Sequence, residues 1–79
     1  MNRQLEVAIE LGEKIDELFW NIPEDFTLFT DRVCELTHRI HRFSLAILPY
    51  NYQLFKNIQS FRFQVWETYY MLRKAKFKF

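Results

Sequence analysis

The chain of 79 residues is poor in the residues that build turns and cross-links, with one Gly, two Pro and one Cys. So little turn chemistry argues against a meander of short strands, each of which would need its own tight turn. The lone Cys34 cannot close an internal disulfide, whereas a small secreted scaffold normally carries several bridges, so a reducing compartment is the simpler reading. Apolar runs are interrupted within a few residues, far short of the ~20 needed to cross a bilayer. Met1 to Phe19 is acidic and amphipathic, unlike the basic start of a signal or transit peptide, which makes the cytoplasm the expected location. The chain also lacks a Ser/His/Asp set, a phosphate-cradling glycine loop and a recognisable carboxylate pair. The expectation is a protein that is not an enzyme and takes no cofactor.

What is present fits a small globular domain. Hydrophobic residues make up 49% and charged residues 27%, which excludes disorder and low complexity. Nine Phe, four Tyr and two Trp are more large rings than one small core readily encloses. The surplus should meet another copy or a partner.

Pro23 and Pro49 divide the chain, because proline fits the first turn of a helix and disrupts its interior. The expected helices run over roughly 4–21, 24–47 and 51–74, with a basic tail at 73–79 that frays or extends. In the first, Val7, Ala8, Leu11, Gly12, Ile15, Leu18, Phe19 and Ile22 share a broad arc with Leu5. Gly12 within that arc would admit a close helix neighbour. Glu6, Glu10, Glu13 and Glu17 form a ridge of carboxylates opposite.

The second segment holds the most regular signal: Phe26, Phe29, Val33, Leu36, Ile40, Phe43, Ile47 and Tyr50 alternate steps of three and four. The third repeats it as Leu54, Ile58, Phe61, Val65 and Leu72, with Asn51 as a cap. Beside that seam run Phe55, Trp66 and Tyr69, then Tyr52, Phe63, Tyr70 and Phe77, a face wider than one neighbouring helix covers. A strand alternative rests on the alternation Phe61, Phe63, Val65 and on Ala75, Phe77, Phe79. The preferred reading is one all-α domain over 1–79, an antiparallel helical hairpin or a three-helix up-down-up bundle completed by homo-oligomerisation.

Charge is segregated. Residues 1–25 carry seven acidic and two basic side chains, whereas residues 26–79 carry three acidic and nine basic ones. That asymmetry is met by packing the acidic helix beside a basic one, or by a charged partner.

Cys34, His38 and His41 are spaced four and three apart on one helix flank, the one arrangement that could approach a soft metal. No second Cys/His cluster supplies a fourth ligand, so a small Cys beside two surface imidazoles is the favoured reading. Glu35 and His38 show the Glu-x-x-His spacing of di-iron bundles, but Glu35 falls on the charged face, away from the seam.

Two family patterns are echoed in part. Arg32 followed by His38 resembles the Arg and His pairing of small helical ribonucleases of the HEPN class, with Val33 standing where those domains place a polar residue. The stretch Ile22-Pro23-Glu24-Asp25-Phe26-Thr27-Leu28 with Asp31-Arg32-Val33 resembles the small four-helix-bundle family that includes ribosomal intervening-sequence proteins and retroelement accessory proteins. Its Pro-to-Phe and Leu-to-Arg spacings differ, and the chain leaves no length for a fourth helix. That resemblance implies a basic oligomeric bundle that binds nucleic acid or a nucleoprotein.

The functional expectation is a helical interaction module that self-associates and docks a protein partner. Its contact residues are Phe63, Trp66, Tyr69 and Tyr70, with Glu6, Glu10, Glu13 and Glu17 as the charged face. The alternative is an RNA- or single-strand-binding bundle, with Arg62, Arg73, Lys74, Lys76 and Lys78 on phosphates and the rings on bases. No small-molecule substrate is indicated.

Overall fold

The computed structural model describes residues 3–77 as three helices, α1 (Arg3–Trp20), α2 (Phe26–Ile47) and α3 (Tyr52–Phe77), with no strand among them. Each boundary has a local cause. Asn21 N–H still reaches Glu17 O at 3.0 Å, but Pro23 follows closely and cannot continue α1. Asp25, in extended conformation, accepts from the backbone N–H groups of Thr27 at 2.8 Å and Leu28 at 3.4 Å, so the second helix starts at Phe26. The expected helix over 24–47 would take Asp25 inside its first turn; the carboxylate of Asp25 caps the helix from outside instead. At the other end Tyr50 N–H and Asn51 N–H both return to Ile47 O, at 2.9 and 2.8 Å, around Pro49. Asn51 Oδ1 then accepts from Leu54 N–H at 3.0 Å and opens α3.

α3 continues to Phe77, past the expected change near residue 73, because its last turn is held from the side. Lys76 Nζ reaches Ile22 O at 3.5 Å and Glu24 Oε1 at 3.7 Å, and the Phe77 ring meets Phe26 edge-on at 5.3 Å. The cations of this turn also lie near the negative end of the helix dipole. Residues 78–79 of the expected tail lie outside the described residues.

Pairing across α2 and α3 is antiparallel: Thr30 meets Tyr69, His41 meets Arg62 and Ser44 meets Gln59. α1 packs on the other flank of α2 and touches α3 much less, so α2 is the shared element. The core comprises Leu11 and Ile15 of α1, Phe29, Val33, Leu36, Ile40 and Ile47 of α2, and Ile58, Val65 and Tyr69 of α3. Phe29 is 0% exposed and links all three helices, meeting Phe19 at 6.2 Å, Tyr69 at 5.2 Å and Phe77 at 6.0 Å.

Several expected core positions differ. Tyr50 falls in the turn after α2 and is exposed, because the helix that would carry the seam that far has already ended. Leu5 and Phe61 are also exposed, since α1 and α3 meet too little to cover them. Tyr69 takes a seam position four residues after Val65 and is 2% exposed. No neighbour lies within 4 Å of a Cβ built on Gly12, so this glycine does not serve a close helix approach.

Two stability outcomes follow from these contacts. Gly12→Ala should stabilise the fold by roughly 0.5–1 kcal/mol, because a helix-interior glycine costs entropy and nothing here requires its bareness. Phe29→Ala should cost about 3–5 kcal/mol, enough to unfold much of so small a domain. Urea denaturation followed by far-UV circular dichroism measures both; a destabilised Gly12→Ala protein would show that the helix needs the glycine after all.

Candidate functional site

The apolar stripe that the core leaves uncovered lies on α3. With the buried positions Ile58, Val65 and Tyr69 defining the inward direction, Tyr52, Phe63 and Tyr70 fall roughly a third of a turn away at 100° per residue. They are 63%, 68% and 51% exposed, respectively. Trp66 is half-buried on the edge of this stripe nearest α2.

Tyr69 belongs elsewhere than the sequence put it. Its ring packs on Phe29, and its hydroxyl is 2.7 Å from Thr30 Oγ1, so it is a core residue rather than a contact for a partner. The same ring nonetheless supports the surface: Trp66 meets it edge-on at 5.5 Å and Tyr70 at 5.3 Å. Trp66 and Tyr70 are 6.3 Å apart. Arg73 closes the row, its guanidinium 5.5 Å from the Tyr70 ring and 5.8 Å from Phe26. Sequence spacing shows that these rings neighbour one another, but not which of them the core claims.

The cations expected to meet phosphate are largely committed within the fold. Arg62 Nη1 lies 2.6 Å from Gln59 Oε1 and 3.0 Å from His41 Nδ1, while Gln59 Nε2 donates to Ser44 Oγ at 2.7 Å. Ser44 is fully buried and donates in turn to His41 O at 2.7 Å, so a polar cluster spans the α2–α3 seam. The buried Arg62 Nε has no hydrogen-bond partner among the described residues. Arg73 packs on rings, and Lys76 is held by the link between α1 and α2. Lys74 is exposed, and Lys78 lies outside the described residues.

Glu6, Glu10, Glu13 and Glu17 are all exposed, with Glu10 reaching Lys14 of the same helix at 3.5 Å. Glu17 borders an open cleft of about 430 Å³ between the second half of α1 and the first half of α2. Lys14, Arg32 and Arg39 supply the cations of that cleft, and Glu35 its second acid. Both signs of charge line this cleft, so it presents no concentrated field for an anion.

Cys34 and His38 are exposed, and His41 points at the guanidinium of Arg62. Among the described residues no group of three His, Cys, Asp or Glu side chains converges as a metal site. A cation at His41 would also sit beside a positive charge. No helix among the described residues is long and apolar enough to cross a membrane.

No protein-family model matches the chain, and no curated protein or solved structure does so either.

The core that holds the three helices together is built of apolar side chains. Treatment with a chelator should leave the melting temperature unchanged within error, and zinc should not raise it. Stoichiometric zinc in purified protein, lost on His38→Ala, would overturn this.

Proposed function

We propose that the chain is a small non-enzymatic helical interaction module that self-associates and docks another macromolecule, with the outer stripe of α3 as its principal contact. The observation that carries this reading is the row Tyr52, Phe63 and Tyr70, aromatic surface that the three-helix core leaves largely in water, with half-buried Trp66 along its edge. Large rings left in one row cost a soluble protein solubility, and they are the side chains that most often dominate interface energies. The exposed carboxylates of α1 and the cleft beside it provide a polar margin of the kind that steers encounter rather than setting affinity.

Nucleic-acid binding ranks second. It would need Arg62, Arg73 and Lys76 to leave contacts they already make, and only Lys74 of the four described cations stands exposed without an internal contact. A near-neutral net charge of +1 supplies little long-range attraction for a polyanion.

Light scattering at micromolar concentration should return at least twice the chain mass. Trp66→Ala or Tyr70→Ala should weaken association by about 30-fold or more while circular dichroism stays helical. Charge-neutral variants of Lys74 and Lys78 should change association little. A persistent monomer, or salt-sensitive RNA binding lost with those lysines and indifferent to the rings, would reverse the order of the two readings.

A further inference from the structure

We infer that α1 is a lid: it opens from the α2–α3 hairpin as one unit, pivoting between Asn21 and Ile22, while α2 and α3 stay paired. Opening bares the apolar face of α2 that carries Leu36, Ile40 and Phe43. The inference concerns the flank of α2 away from the α3 stripe and holds whatever that stripe contacts.

The two seams of the fold are fastened differently. Side-chain hydrogen bonds cross from α2 to α3 at Thr30 with Tyr69, at Ser44 with Gln59 and at His41 with Arg62, so parting these helices breaks defined bonds along the whole seam. Among the described residues, no hydrogen bond or ion pair joins a side chain of α1 to α2 or α3. Lys14 instead reaches Glu10 of its own helix at 3.5 Å, and Asn21 Nδ2 donates to Glu17 O at 3.2 Å. Apolar contact is what holds α1, with Leu11 and Ile15 buried and Val7, Leu18 and Phe19 half-buried. The contact of Phe19 with Phe29, at 6.2 Å between ring centres, sits close to the pivot.

Packing along the α1 seam is also open. One side is the cleft of about 430 Å³ bordered by Leu18 and Leu36. The other is an apolar gap of about 20 Å³ between Ala8 and Leu11 of α1, Ile40 and Phe43 of α2, and Ile58 and Phe61 of α3. Atoms that face such gaps forfeit part of their dispersion contacts. Gly12, one residue after Leu11, has no atom within 4 Å of where a Cβ would stand.

α1 is weak as a helix in its own right. Gly12 lies in its interior, and Glu6 with Glu10 and Glu13 with Glu17 set like charges four residues apart. An 18-residue helix of this kind is marginal alone in water, so leaving α2 and losing its own backbone hydrogen bonds are one event.

The pivot follows from what holds the link. Lys76 Nζ reaches Ile22 O at 3.5 Å and Glu24 Oε1 at 3.7 Å, and Asp25 caps α2, so the chain from Ile22 onward belongs to the hairpin. Asn21 N–H bonds back to Glu17 O at 3.0 Å and belongs to α1.

Native-state hydrogen exchange of the full chain, followed by NMR in rising sub-denaturing urea, tests the lid. The amides of residues 11–18 should share one opening free energy and be roughly tenfold or more less protected than the slowest amides of α2 and α3. Their urea dependence should be shallower, because opening α1 exposes less surface than unfolding the whole chain. Tyr69→Phe removes a hydrogen bond that lies within the hairpin. It should speed exchange in α2 and α3 by about two- to tenfold and leave that of α1 unchanged. Gly12→Ala should slow α1 exchange by about two- to fivefold. Equal protection in all three helices, with Tyr69→Phe speeding every amide alike, would mean one cooperative unit and overturn the lid. Protection that instead climbs steadily along α1 towards residue 18 would mean fraying from its start and would overturn it as well.

Discussion

The fold depends on one buried ring. Phe29 lies in the first turn of α2, fully out of water, and its faces and edges meet Phe19 of α1 and both Tyr69 and Phe77 of α3. A single side chain thus ties the end of the first helix, the start of the second and the end of the third. Everything at that pole follows from it: the Asp25 cap sets where α2 begins, and hence where Phe29 points. The last turn of α3 is then drawn over Phe26 and onto the carbonyl of Ile22. The opposite pole uses different chemistry, the cluster of Ser44, Gln59, Arg62 and His41. Apolar rings tolerate a small slide of one helix along another, whereas hydrogen bonds between named atoms do not. The two poles together fix the α2–α3 register.

A chain of this length cannot enclose what its composition supplies. The molecule measures 42 × 19 × 15 Å, and its smallest dimension is little more than one helix diameter with side chains. α1, with 18 residues against 26 in α3, covers one flank of α2 and little of α3. Much of the circumference of α3 consequently has no intramolecular neighbour. The exposed rings are a geometric consequence of three unequal helices arranged around a central one, and their chemistry, flat and amphipathic, suits a second surface better than water.

The sequence made the helices and the α2 seam legible because steps of three and four recur there, with Phe29, Val33, Leu36, Ile40 and Ile47 all buried. It was a poorer guide to α3. Tyr69 and Phe61 both satisfy the helical period with Ile58 and Val65, and the period alone cannot say which of two adjoining stripes the neighbouring helix covers. The choice is made by Thr30 and Phe29, thirty-nine and forty residues away from Tyr69, and no local pattern carries that information. The end of α3 was hidden for the same reason: Lys74, Ala75 and Lys76 alternate like a strand, yet a contact with the link before α2 holds them helical. Arg62 read as a free cation because its partners, His41 and Gln59, come together only when α2 and α3 pair.

The placement of Tyr69 joins the fold to its outer surface. One edge of its ring is in the core and its hydroxyl is held by Thr30, while Trp66 and Tyr70 lean on it from outside. Two of the four rings in the stripe are therefore backed by a side chain that the core already immobilises. An aromatic residue held in this way loses less rotamer freedom when another surface covers it, so less of the interaction energy is offset by ordering. Tyr52 and Phe63 lack that support: Tyr52 stacks at 6.3 Å on Phe55 of its own helix. The firm half of the stripe lies towards the end of α3, where Phe29 anchors it, and the looser half lies towards the start.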